Sequence, residues 1–262
     1  MIKFVVVDMD GTFLDDNKQK SPEYERVIRE ILNKGVKFGV ASGRQMASIK
    51  KEFPTLKDDI VFIAENGTLV EYEGEIIREE CMTAQVRDMI LDKVEKLEDK
   101  KTIYCTKNCT YVDDLSPESM ENIRKYLPAY EYIDSFRNLD LLPLKISVYS
   151  PNGHDKDIEE ISELVSDWAK ACTSGNEWLD IIPKGANKAT GIKAVAEKMG
   201  ISMDEIMAFG DEMNDFEMMT SVYYSYAMDN AADEIKQVAR FTAPSNNEYG
   251  VIQVIKERFN ID

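Results

Sequence analysis

Apolar residues follow two rhythms along this chain. Short, nearly unbroken runs occur at Phe4–Val7, Val36–Ala41, Ile60–Ala64 and Ile206–Phe209. Runs of this length predict strands buried on both faces of a parallel sheet. Between the first two, Tyr24, Val27, Ile28, Ile31 and Leu32 recur at helical spacing, with Ser21-Pro22 as the start and Gly35 as the stop. Gln45 to Glu52 predicts a second, short helix. This strand–helix alternation implies right-handed crossovers and an α/β fold with a parallel sheet. Glu65-Asn66-Gly67 then leads into Thr68–Tyr72 and Glu75–Arg78, which read as a hairpin around Glu73-Gly74.

From about Thr83 the pattern changes. Helices are predicted from Val86 through Leu97, from Ser116-Pro117 to just before Pro128, and over Lys156–Lys170. Strands are predicted at Thr102–Thr106, Thr110–Val112, Leu144–Tyr149 and Trp178–Ile182. These segments lack the long apolar runs of the first part, which predicts an α+β insert whose sheet is covered on one face. The first pattern resumes at Asn187, with a helix over Ala189–Met199 closed by Gly200 and a capping box at Ser202–Glu205. Strands at Ile206–Phe209 and Tyr223–Met228 and helices at Ala232–Ala239 and Val251–Phe259 complete it. The chain therefore divides into a core, residues 1–82 and 184–262, interrupted by an insert, residues 83–183.

The chemistry sits where apolar runs end. The first strand runs into Asp8-Met9-Asp10-Gly11-Thr12, at the sheet edge where open α/β folds keep their ligands. Two carboxylates at i and i+2 in an apolar site require a cation or a shared proton, because each disfavours the other's charge. An acidic turn is the simpler reading, and an EF-hand loop fits poorly. Other strand ends carry matching chemistry: Val40-Ala41-Ser42-Gly43-Arg44 and Phe209-Gly210-Asp211-Glu212-Met213-Asn214-Asp215, with Lys188 at a helix start between them.

These motifs, in this order, resemble the haloacid dehalogenase superfamily, whose phosphatases carry a DxDGT loop, a Ser or Thr after the second strand, a Lys and a GDxxND loop. The long stretch between Ser42 and Lys188 further resembles the Cof-type subgroup, with a large cap of the C2 type. The resemblance implies a Rossmann-like core with an inserted α+β cap, acting as a Mg²⁺-dependent phosphatase on small phosphate esters such as sugar phosphates. It makes Asp8 the nucleophile and Asp10 the group that protonates the leaving alkoxide. Asp10 is expected to have a raised pKa in anionic surroundings. Asp8, Asp211 and the Asp10 carbonyl would hold the metal, with Asp215 behind them. Ser42, Lys188, Asn214 and the amides beside Gly11 and Gly43 would hold phosphoryl oxygens. Arg44, Asn66 and Asp180 are candidates for substrate contact, and Lys184 is the rival to Lys188. The insert is expected to close over the crevice and select the leaving group. A phosphotransferase or hexose phosphomutase of the same superfamily, and a non-catalytic phosphometabolite sensor, are the competing readings.

Composition narrows the field. A formal charge of -17 and a pI near 4.6 argue against a nucleic-acid partner. No apolar stretch approaches the ~18 residues of a membrane span, and the chain begins on a core strand and not a signal peptide, so a cytoplasmic location is expected. A monomer or weak homodimer is the expected state. Cys81, Cys105, Cys109 and Cys172 show no zinc spacing and read as buried or half-buried thiols. The single histidine, His154, lies in a turn-like Pro151–Asp155 segment, which excludes a Ser-His-Asp triad. Trp178 and Met213, Met218 and Met219 read as core filling.

Overall fold

All four apolar runs form strands in a computed structural model of the chain, which describes residues 1–97, 99–114, 130–153, 155–173 and 177–262. The helix expected between Ser116 and Pro128, and His154, lie outside the described residues. In chain order the strands are β1 (Phe4–Val7), β2 (Lys37–Ala41), β3 (Val61–Ala64), β4 (Leu69–Tyr72), β5 (Glu75–Glu79), β6 (Lys101–Cys105) and β7 (Thr110–Val112). They continue with β8 (Glu131–Tyr132), β9 (Lys145–Tyr149), β10 (Ala169–Thr173), β11 (Trp178–Pro183), β12 (Ile206–Gly210), β13 (Tyr224–Met228) and β14 (Phe241–Ala243). Two compact units emerge, residues 1–78 with 187–262 and residues 79–186.

The first unit is an eight-stranded sheet in the order β14-β13-β12-β1-β2-β3-β4-β5. From β14 to β3 every pairing is parallel, and β4 returns antiparallel on β3. β1 lies at the centre, with Val7 in register with both Phe209 and Val40. Every residue of β1 and β12 is buried, as expected of strands covered on both faces. The chain winds outward from β1 in both directions, so the carboxyl ends of β1, β2 and β12 meet at a topological switch point. The first helix begins at Tyr24 and not at Pro22, because the Ser21 carbonyl and hydroxyl are taken up by a preceding turn, accepting from the Tyr24 and Glu23 amides. In this unit strand β14 and the short helix Phe216–Ser221 escaped the sequence reading, as β8 did in the other.

The second unit is a six-stranded sheet in the order β10-β11-β9-β6-β7-β8. Its pairings are antiparallel except β7 with β8. Helices Ala84–Val94 and Lys156–Val165, capped by Thr83 and Asp155, contribute Val86, Ile90, Ile158 and Ile161 to one core with Tyr104, Ile146, Val148 and Leu179. The helix expected to reach Lys170 ends at Val165 instead. Ala169–Thr173 becomes an edge strand on β11, since cross-strand pairing outweighs a helical period that nothing on the sheet needs. Trp178 is half-buried and packs on Tyr149 with the ring planes tilted by 48° and the centroids 4.9 Å apart. Among the described residues no disulfide joins the four cysteines, of which Cys105 is buried and the others half-buried. Among the described residues no helix is long and apolar enough to cross a membrane.

Candidate active site

Lys188 is the fully buried cation of the first unit's centre. It opens the helix Lys188–Met199, whose first turn is fixed by a capping box between Asn187 and Thr190. From there its Nζ donates to Asp8 Oδ1 at 2.5 Å and to Asp215 Oδ1 at 2.6 Å. Asp8 stands one residue beyond β1, its amide bonded to the Phe209 carbonyl. Asp215 Oδ2 accepts from the amides of Asp211 and Glu212, so both of its oxygens are engaged in holding Lys188 and the acidic loop. A Cβ on Gly210 would come within 2.7 Å of the Asp215 side chain, which explains a glycine at the end of β12.

Asp211 is tied to the first loop by Thr12, whose hydroxyl donates to Asp211 Oδ1 at 2.6 Å. Gly11 makes this approach possible. It adopts φ +81°, and a Cβ there would collide with Asp211 Oδ2. Asp8, Asp211 and Asp215, all buried, each place an oxygen within 4.8 Å of the others. Asp8 Oδ2 and Asp211 Oδ2 carry no hydrogen bond among the described residues. Burial pushes the Asp8 carboxyl well above the ordinary range, against the pull of Lys188 and helped by Asp215 and Asp211. Burial likewise pushes Asp211 up to about 7, with Thr12 opposing and Asp215 adding. Three carboxylates facing one buried ammonium are short of positive charge, and open hard oxygens are the donor type a divalent cation such as Mg²⁺ takes.

Asp10 behaves otherwise than expected. Arg44 grips its carboxylate in a two-point bond, Nε to Oδ2 at 2.7 Å and Nη2 to Oδ1 at 2.6 Å, and Lys18 adds a third at 2.9 Å. Burial raises its pKa, but the bonds and charges of Arg44 and Lys18 outweigh that and hold the carboxyl below its usual value. The expected upward shift is therefore corrected. Two cations, Arg44 and Lys18, touch the Asp10 carboxylate directly and oppose the shift that anionic neighbours alone would cause. The Asp10 carboxylate is also absent from the close oxygen cluster, which contains Asp215 in its place.

Ser42 is buried one residue beyond β2, its hydroxyl accepting from the Arg44 amide at 3.1 Å and its carbonyl from the Asn66 amide at 3.0 Å. Asn214 Nδ2 donates to Asn66 Oδ1 at 3.3 Å, and a Cβ on Gly43 would stand 3.2 Å from the same Asn66 side chain. Asn66 lies in a run of three positive φ angles, Glu65 (49°), Asn66 (54°) and Gly67 (94°), which the sequence suggested only as a turn. Two non-glycine residues in this region store strain of ~1–3 kcal/mol each, a feature common at binding loops. Asp180 belongs to the second unit, where it accepts from Ser147 at 2.5 Å and lies 3.5 Å from Lys145. Lys184 is an exposed loop cation bonded to the Ser166 and Asp167 carbonyls. Met218 and Met219 are core, but Met213 is 51% exposed on the turn that follows β12 and is not.

The family profile of haloacid dehalogenase-like hydrolases matches residues 5–255. The chain is 32% identical over 260 residues to the 5-amino-6-(5-phospho-D-ribitylamino)uracil phosphatase YbjI of Escherichia coli, covering 97% of this chain and 95% of that one. It is 25% identical over 274 residues to the 5-amino-6-(5-phospho-D-ribitylamino)uracil phosphatase YitU of Bacillus subtilis, covering 98% and 97%. Among solved structures, one from Thermotoga maritima superposes with a TM-score of 0.87 at 28% identity, covering 98% of this chain and 97% of that one.

Proposed function

Because the chain belongs to the haloacid dehalogenase-like hydrolase family, in its Cof-type branch, and is by that membership a phosphoric monoester hydrolase, we propose that it dephosphorylates small metabolites through a covalent intermediate on Asp8. The observation that carries this reading is Asp8 itself, buried at the end of the central strand, with one oxygen held by Lys188 and the other unbonded among the described residues. An Asp8 oxygen attacks phosphorus, the ester P–O bond breaks, and the leaving alkoxide takes a proton from Asp10. Asp10 then accepts a proton from the water that attacks the phosphoaspartate, releasing phosphate and restoring Asp8.

Lys188 balances charge on Asp8 and the phosphoryl oxygens, and the Ser42 and Asn214 groups line the same strand ends. The carboxylates of Asp8, Asp211 and Asp215 form a hard donor group, and Asp8 and Asp211 with the Asp10 carbonyl, backed by Asp215, would hold Mg²⁺, which when bound neutralises phosphoryl oxygens. The Arg44–Asp10 clamp accommodates the acid role if the incoming phosphate dianion draws Arg44 and Lys18 away, because a dianion is the stronger partner for both. Asp10→Ala should then slow alkyl phosphates by ~10²–10³-fold and an activated aryl phosphate far less, since a good leaving group needs no proton. Equal losses on both would remove Asp10 from that role.

The relatives named above act on the phosphate of a sugar-alcohol chain attached to a uracil. That class, together with sugar phosphates, is the proposed substrate range, with discrimination assigned to the insert, residues 83–183. Phosphate release should be screened over 5-amino-6-(5-phospho-D-ribitylamino)uracil, hexose phosphates and nucleotides. Release with Mg²⁺ and none after chelation is expected; no release from any ester would overturn the reading, and transfer to a second sugar hydroxyl would make the enzyme a mutase.

A pH dependence follows from Asp211. Its pKa is raised from 3.8 to about 7 in the folded chain, so the bound proton stabilises the metal-free fold at low pH, and that stabilisation is lost as pH rises through about 7. Protons and Mg²⁺ compete for this oxygen. The increase in Tm on adding Mg²⁺ should therefore be small at pH 5 and grow towards pH 8. An increment independent of pH would show that Asp211 is not a metal ligand.

A further inference from the structure

Three asparagines far along the chain reach back to the loop that carries Asp8. Asn246, only 1% exposed, opens a single 3₁₀ turn fixed by a Ser245–Glu248 capping box. Its Nδ2 donates to the Leu14 carbonyl at 3.1 Å and to Asp16 Oδ1 at 3.0 Å. Its amide donates to Asn230 Oδ1 at 3.0 Å, and Asn230 Nδ2 in turn donates to the Gly11 carbonyl at 2.8 Å. Asn247 completes the grip through a reciprocal pair with Asp16, Nδ2 to Oδ2 at 2.9 Å and the Asp16 amide to Oδ1 at 3.1 Å.

The Asn230 turn touches both acid loops. While Asn230 holds the Gly11 carbonyl, the Ala232 amide donates to the Asp211 carbonyl at 2.9 Å. One short segment after β13 thus sets the spacing between the loop of Asp8 and the loop of Asp211. Satisfaction of buried carbonyls explains the Asn246 bonds to Leu14, but it does not explain Asn230, which is exposed and whose bond water could replace in energy though not in geometry.

We propose that Asn230 and Asn246 are positioning residues, an amide relay that holds the Asp8–Asp16 loop in the register needed for phosphoryl transfer. The proposal rests on the phosphatase reading for its kinetic consequence only. Displacements of ~1 Å at reacting atoms are enough to cost orders of magnitude in rate, with little effect on ground-state binding.

The test compares Asn230→Ala, Asn246→Ala and the double variant with the wild type. It reads kcat and KM on an aryl phosphate, and hydrogen exchange of the amides of residues 9–16. Asn230→Ala should lower kcat at least tenfold with KM within threefold and exchange faster in that loop alone. The double variant should lose more than either single, because Asn246→Ala keeps the backbone N–H that donates to Asn230 and the two side chains hold the loop at separate points, Gly11 and Leu14–Asp16. A kcat for Asn230→Ala within twofold of wild type, or a double variant no worse than the poorer single, would overturn the relay. Asn246→Ala removes a buried amide and can unfold the chain; Asn230→Ala, on the surface, decides the matter alone in that event. A wild type inactive on every ester would sink the phosphatase reading and leave the relay to the exchange data, where unchanged rates in residues 9–16 reject it and faster rates support it.

Discussion

Asp8→Asn is expected to abolish turnover, by at least ~10⁴-fold, while leaving the chain folded. The reason is local. Asparagine has nearly the shape of aspartate and still accepts from Lys188 Nζ through its carbonyl oxygen, but it offers no nucleophilic carboxylate oxygen to phosphorus. It also removes one of three crowded carboxylates, itself pushed up by burial as Asp211 is, so the metal-free variant should unfold at the same temperature as the wild type or higher. Activity and Tm measured on one preparation, with deamidation excluded by mass spectrometry, separate these effects. Turnover retained within tenfold would remove Asp8 from the chemistry. A large fall in Tm would instead mean that the residue's main task is structural.

Lys188→Met carries the largest expected cost in stability. The ammonium is fully buried and is shared by Asp8 and Asp215, so its removal leaves two buried carboxylates without a counter-charge. Breaking such a pair from one side costs ~3–5 kcal/mol, far above the ~0–1 kcal/mol of an exposed pair. Urea unfolding at pH 7 in chelator should show this loss, with activity lost as well. At pH 5 the deficit should shrink, because Asp8, already raised by burial, takes up a proton more readily once Lys188 is gone. A variant within about 1 kcal/mol of the wild type at pH 7 would show that Lys188 is not the charge that balances the cluster.

How much of this was legible in the sequence depended on how locally each residue's role is encoded. Asp8, Asp211 and Lys188 stand at the ends of buried runs or at a capped helix start, and strand ends in a parallel sheet converge, so their meeting could be anticipated. The contacts that tune them were not legible. Arg44 grips Asp10 across 34 residues, Thr12 reaches Asp211 across 199, and Asn246 reaches Leu14 across 232. Nothing in a polar loop distinguishes an asparagine that braces another loop from one that merely turns the chain. Asp10 shows the consequence, since its surroundings were read as anionic from formal charges and are cationic at contact distance. The misplaced end of the Lys156–Val165 helix has a different cause. Trp168 to Ala171 continues a plausible helical stripe, and only the open edge of β11 makes it a strand.

Trapping the covalent intermediate tests the central claim most directly. The enzyme is mixed with Mg²⁺ and an aryl phosphate, quenched during turnover and reduced with borohydride, which converts an acyl phosphate of aspartate to homoserine. Mass spectrometry of the peptide spanning residues 4–18 is expected to find homoserine at position 8, dependent on substrate and absent from Asp8→Asn. Homoserine at another aspartate, or an unmodified Asp8 under conditions where phosphate is released and an acyl phosphate is trapped from a control phosphoaspartate enzyme, would contradict it.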